Sequence, residues 1–111
     1  MIYIFFTLNI IFLATGQVLW KVGMSRLGEF NLIKIILNPY IIGGIALYAI
    51  ATVLWLYIIS RENLSSVYPL QSLTYIIGTI FAIFIFHEEV SLIRWIGVFI
   101  IFLGAIFVVA G

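Results

Sequence analysis

Four long apolar stretches, each about as long as a lipid bilayer's hydrocarbon core is thick, constrain this chain more than any other feature. A helix rises about 1.5 Å per residue, so roughly 20 apolar residues cross about 30 Å of hydrocarbon. Such stretches fall at about residues 2–22, 39–60, 66–86 and 91–110, and with short loops they use up the 111 residues. Residues 1–111 therefore read as a single four-helix transmembrane domain with no separate soluble domain. Composition agrees: 66% of residues are hydrophobic and 8% charged, whereas a soluble domain carries about a quarter charged residues. Five Lys and Arg with four Asp and Glu cannot cover a globule in water. The apolar surface must face lipid.

Barrel strands are the rival for any membrane chain, but they alternate apolar and polar residues over about ten positions. Ile96-Gly97-Val98-Phe99-Ile100-Ile101-Phe102-Leu103 does not alternate. The fold class is an all-α membrane protein with four transmembrane helices. The start, Met1-Ile2-Tyr3-Ile4-Phe5-Phe6, lacks a basic signal-peptide segment, so the first helix is expected to remain in the mature protein. Asn38-Pro39 reads as an N-cap followed by proline at the first helical position, where its missing N–H costs nothing. Ser65 or Ser66 is the expected cap of the third span, with Pro69 in its first turn, and Ser91 caps the fourth. The first loop, about residues 23–38, has room for an interfacial turn.

Lys and Arg near the span ends set orientation. Lys21, Arg26, Lys34 and Arg94 lie at one end of the spans, and only Arg61 lies at the other. This bias places the first and third loops in the cytoplasm and both termini outside.

Polarity within the spans is uneven. The fourth has no polar side chain from Trp95 to Gly111, but Gly97 and Gly104 share one face. Small residues let helices approach closely in lipid, so this pair reads either as a dimer seam or as packing within the chain. The other spans carry polar stripes at helical spacing: Asn9, Leu13, Gly16 or Gln17, and Lys21; then Tyr48, Thr52 and Trp55; then Tyr68, Ser72, Tyr75 and Thr79, flanked by Gln71. Converging, they would enclose a cavity that is polar but nearly uncharged. Gln17, Lys21, Tyr48, Trp55, Tyr68, Gln71, Ser72 and Tyr75 are the candidate substrate-binding residues. Thr7, Thr15, Thr52 and Thr79 read instead as hydrogen-bonding glue across helices. Lys21 is either a snorkelling anchor or a point charge for an anionic group such as phosphate. All four acids, Glu29, Glu62, Glu88 and Glu89, lie in loops, which tells against a buried carboxylate that exchanges protons for cations. His87 reads as interfacial, and Gly43-Gly44 as close packing. No nucleophile triad, metal-ligand cluster or phosphate-cradling loop is present, so neither an enzyme nor a cofactor is implied, and the charge pattern suggests no nucleic acid.

Three segments in this order resemble a known family: Gly16-Gln17-Val18-Leu19-Trp20-Lys21, Ser66-Val67-Tyr68-Pro69-Leu70-Gln71-Ser72-Leu73, and Phe86-His87-Glu88-Glu89-Val90-Ser91 joined to Arg94-Trp95-Ile96-Gly97. The set resembles the drug/metabolite transporter superfamily, in its four-helix EamA and small multidrug resistance branch. It is most similar there to ArnE/ArnF-type subunits that flip undecaprenyl-phosphate-linked aminoarabinose. The resemblance implies a small multidrug resistance-like bundle acting as a homo- or heterodimer in a bacterial inner membrane. It implies alternating-access transport of a membrane lipid or lipid-linked sugar. The family's Gly-Gln…Lys motif maps onto Gly16, Gln17 and Lys21, its loop glutamate onto Glu88 as a structural residue, and the exporters' glycine pair onto Gly97 and Gly104. The exporters' helix-1 glutamate falls at Leu13, a departure that moves the reading from proton-coupled drug export toward a lipid-carrier flippase. The alternatives are such an exporter, or a non-transporting accessory subunit of a membrane glycosyltransferase or larger transporter.

Overall fold

The computed structural model describes residues 2–111, and every regular element among them is helical. The chain forms α1 (Ile2–Leu27), α2 (Leu32–Leu37), α3 (Pro39–Arg61), α4 (Leu64–Leu70), α5 (Leu73–Phe86) and α6 (Leu92–Ala110). Four rods are long and apolar enough to cross a membrane: α1, α3, α4 with α5, and α6. Their outer faces carry large apolar side chains such as Ile42, Val53, Phe84, Phe99 and Phe107, all exposed as lipid requires. The protein is an all-α membrane bundle.

The first rod runs past Val22 to Leu27, and α2 fills the first loop. Asn38 both ends α2 and caps α3, its side chain accepting from the Tyr40 and Ile41 N–H groups ahead of Pro39. Ser91 caps α6 by accepting from the Arg94 N–H. The third rod differs from expectation at two points. Its N-cap is Asn63, which makes no side-chain cap bond, rather than Ser65 or Ser66. It also breaks at Gln71-Ser72. Pro69 supplies no N–H, and the backbone around it tightens: Ser72 N donates to Pro69 O, Thr74 N to Gln71 O and Tyr75 N to Ser72 O, at 3.1, 2.9 and 3.0 Å. These are three-residue steps of the 3₁₀ kind.

The body is flattened, 45 × 36 × 19 Å. α1 lies between α3 on one flank and α5 on the other, while α6 packs against α4 and α5. The α1–α3 seam is clasped along its length. Phe5 meets Tyr57 edge to face at 4.8 Å, and Asn9 Nδ2 donates to Ala51 O at 2.7 Å. Further along, Trp20 stacks on Tyr48 at 4.4 Å and donates from Nε1 to Ile41 O at 3.1 Å. Gly16 and Gly44 face each other between these anchors; a Cβ on Gly44 would lie 2.9 Å from the Gly16 carbonyl oxygen. Close backbone approach, not hydrophobic drive, holds such a seam in lipid.

Candidate functional site

α1, α3 and the broken third rod converge on an open groove of about 890 Å³, lined by Leu13, Ala14, Gln17, Tyr48, Tyr68, Pro69, Gln71, Ser72, Thr74, Tyr75, Gly78, Thr79 and Ala82. Six of the eight candidate substrate residues meet here: Gln17, Tyr48, Tyr68, Gln71, Ser72 and Tyr75. The groove lining is polar in places and carries no charged side chain.

Two hydrogen-bonded links organise the groove. Gln17 Nε2 donates to the Tyr48 hydroxyl at 2.6 Å, joining α1 to α3 across the opening. Gln71 Nε2 donates to Asn9 Oδ1 at 3.2 Å, while Asn9, fully buried, spends its own N–H on α3. Asn9 thus ties three rods at one point, next to the break in the third. The break turns Thr74 inward, where its Oγ1 is buried without a partner. A buried hydroxyl of this kind is an available donor and acceptor at the groove wall.

Trp55 lies outside the groove proper. It lines an adjoining hollow of about 280 Å³ with Asn9, Tyr48, Thr52 and Gln71, and meets Tyr68 edge to face at 6.3 Å. Lys21 lies at the other margin. It lines a recess of about 180 Å³ that shares Ala14, Gln17, Gly78 and Ala82 with the groove. Lys21 is not a free charge there: Glu88 Oε2 approaches Nζ at 3.6 Å, and the Phe86 ring centroid lies 5.6 Å from it. Glu88 is therefore part of the recess wall, beyond the purely structural loop role expected for it.

The threonine expectation needs correction. Thr7, Thr52 and Thr79 donate to carbonyls four residues back in their own helices, Tyr3, Tyr48 and Tyr75, each at 2.8 Å, rather than across helices. A Cβ on Gly97 or Gly104 would meet nothing within 4 Å, so neither glycine is a point of close packing among the described residues. Thr74, Gly78 and Ala82 join the groove beyond the polar stripes legible in sequence, and Asn9 is a tie between rods rather than one member of a stripe. A buried asparagine in a span was the available signal for the last.

Comparison with known proteins fits this arrangement. No solved structure matches the chain. Among curated proteins it is 32% identical over 69 residues to a probable 4-amino-4-deoxy-L-arabinose-phosphoundecaprenol flippase subunit ArnE of Aeromonas hydrophila, covering 62% of this chain and 60% of that one. It thus spans about 60% of the length of that ArnE relative. Similarity to probable ArnF subunits of the same flippase runs further: 30% identity over 115 residues in Proteus mirabilis, covering 92% and 86% of the two chains. In Shewanella sediminis it is 28% over 119 residues, covering 91% and 82%. The model of the EamA-like transporter family matches residues 1–110. With four membrane-length rods, three of them around an open groove, and a family match along nearly its whole length, the chain belongs to the EamA-like transporter family.

Proposed function

We propose that this protein is a flippase-type transporter for a lipid-linked sugar, or a similar amphipathic anion, carried on an undecaprenyl-type phosphate. The carrying observation is the groove itself: about 890 Å³, with hydroxyls and amides set among apolar side chains and no charge, and with the Lys21 ammonium in the recess that shares its wall. A sugar needs many hydrogen-bonding partners, and Gln17, Tyr48, Tyr68, Gln71, Ser72 and Tyr75 supply them. A phosphate needs a cation, and Lys21 is the one beside the groove. A prenyl tail needs no protein enclosure, and the open side of the groove leaves it free to stay in lipid. The similarity to flippase subunits acting on an aminoarabinose-phosphoundecaprenol supports the same substrate class.

In this reading the first and third loops are cytoplasmic, the membrane is a bacterial inner membrane, and Lys21 receives the phosphate on the cytoplasmic side. The working unit is a dimer, with a second copy or a different subunit against the open glycine face of α6. Proton-coupled export is the weaker reading, because Leu13 stands in the groove wall where a carboxylate would have to be.

The test is transport of a polyprenyl-phosphate sugar across proteoliposomes, read by the appearance of the sugar at the outer face. Lys21→Ala is expected to abolish this movement while leaving membrane insertion and dimerisation intact. Transport at the unmodified rate by that variant removes the phosphate assignment.

A further inference from the structure

The recess beside the groove holds a charge pair that the substrate reading leaves without a role. Glu88 and Lys21 are 3.6 Å apart, beyond a good hydrogen bond, with their side chains 41% and 56% exposed. The contrast is with Lys34 and Glu29, which close to a 2.6 Å hydrogen bond in the first loop. The looser pair is not what positions Glu88. His87 adopts a left-handed conformation, φ 54°, that ends α5, and the Glu88 N–H returns to Ala82 O at 3.2 Å. Backbone geometry therefore delivers the carboxylate to the ammonium.

We infer that Glu88 is an internal counter-ion: it occupies the anion position on Lys21 in the substrate-free protein and is displaced by the phosphate of an incoming isoprenoid phosphate. This rests on the phosphate reading above and adds a selectivity residue to it. A carboxylate and a phosphate present the same kind of anionic oxygen, and a lysine ammonium is a compact point charge that either can claim. An unpartnered ammonium beside apolar surface is costly, so a resident carboxylate keeps the empty recess neutral. An exposed pair is weak, so a phosphate can exchange with it. A neutral lipid alcohol brings nothing to make that exchange. Because Glu88 sits in the segment joining α5 to α6, its release also removes that segment's ion pair with α1.

The experiment uses the full chain in lipid nanodiscs, with farnesyl phosphate as probe and farnesol as its neutral counterpart, both measured by titration calorimetry. Glu88→Gln is expected to tighten farnesyl phosphate binding by roughly 1.5- to 5-fold, the range an exposed ion pair's coupling allows. Lys21→Gln is expected to weaken it, and Glu88→Gln is expected to add no gain in the Lys21→Gln background. Farnesol binding should respond to neither change. If Lys21→Gln binds farnesyl phosphate as the unmodified chain does, the phosphate reading falls and this inference with it. If Lys21→Gln weakens binding but Glu88→Gln does not tighten it, or tightens it equally without Lys21, only the counter-ion role is lost. A fluorescent label on Glu89→Cys keeps the question decidable should Glu88→Gln fold poorly. Farnesyl phosphate should raise the label's mobility and farnesol should not; no response at saturating farnesyl phosphate overturns the displacement.

Discussion

Replacing Gly44 by alanine tests the packing on which the groove depends. The added Cβ would lie 2.5 Å from Trp20 Cδ1 and Nε1, and 2.9 Å from the Gly16 carbonyl oxygen. Carbon atoms in good contact stand about 3.5–4.0 Å apart, so something must move by about 1 Å. The indole cannot swing away freely, since it is stacked on Tyr48 and bonded to Ile41 O. The Gly16 oxygen is main chain and moves only with its helix. Overpacking of this kind costs about 1–3 kcal/mol. Losing the Trp20 bond adds about 0.6 kcal/mol, and alanine's better helix propensity offsets up to about 1 kcal/mol. The net expectation is a loss of about 1–2 kcal/mol. The assay is reversible unfolding by sodium dodecyl sulfate in mixed micelles, followed by far-ultraviolet circular dichroism at protein concentrations where the chain is monomeric. Gly97→Ala and Gly104→Ala are the internal controls: with open space at both positions, each should be neutral or up to about 1 kcal/mol more stable. If Gly44→Ala proves as stable as these controls, the α1–α3 seam is not closed by backbone contact.

Asn9→Leu removes both the bond to Ala51 O and the one received from Gln71. At about 0.6 kcal/mol for an average interhelical bond in lipid, and at most about 1.7, the same unfolding assay should show a loss of about 1–2 kcal/mol. A loss below the scatter of surface variants would mean that Asn9 is not the tie between the rods. Gly97→Leu together with Gly104→Leu should abolish dimer cross-linking in membranes without lowering the monomer's unfolding midpoint. Undiminished cross-linking would move the interface off α6.

The division between what the sequence discloses and what it hides follows from the lipid environment. Span number, helical class and the Asn38 and Ser91 caps depend on hydrophobicity and on local hydrogen bonding, and both are written in adjacent residues. Six groove residues were visible because helical spacing puts Tyr68, Ser72 and Tyr75 on one face, and likewise Gln17 on its own. Three features needed the third dimension. Thr7, Thr52 and Thr79 look like interhelical glue, but a threonine hydroxyl can always reach the carbonyl one turn back, and sequence cannot say which acceptor wins. The break at Gln71-Ser72 follows Pro69 by two residues, whereas the carbonyl that Pro69 leaves without its helical donor lies upstream at Ser65, so the proline alone does not locate the break. The pairing of Lys21 with Glu88 joins residues far apart in the chain, brought together by the packing of α5 on α1 and the left-handed turn at His87.

The groove and the glycine face belong to different surfaces, and this makes their functions separable. Among the described residues, the groove takes its lining from α1, α3, α4, α5 and the residues at their break, with none from α6. Gly97 and Gly104 lie on α6, which touches α4 and α5 but is absent from that lining. A partner seated on α6 would thus leave the groove lining uncovered while bearing on the rod that carries Tyr75, Gly78 and Ala82. Besides the packing of α6 on α4 and α5, the Glu88 segment links the two surfaces covalently, because it begins where α5 ends and leads into α6. If a phosphate displaces Glu88 from Lys21 as proposed, it therefore acts on the segment through which α5 and α6 are joined.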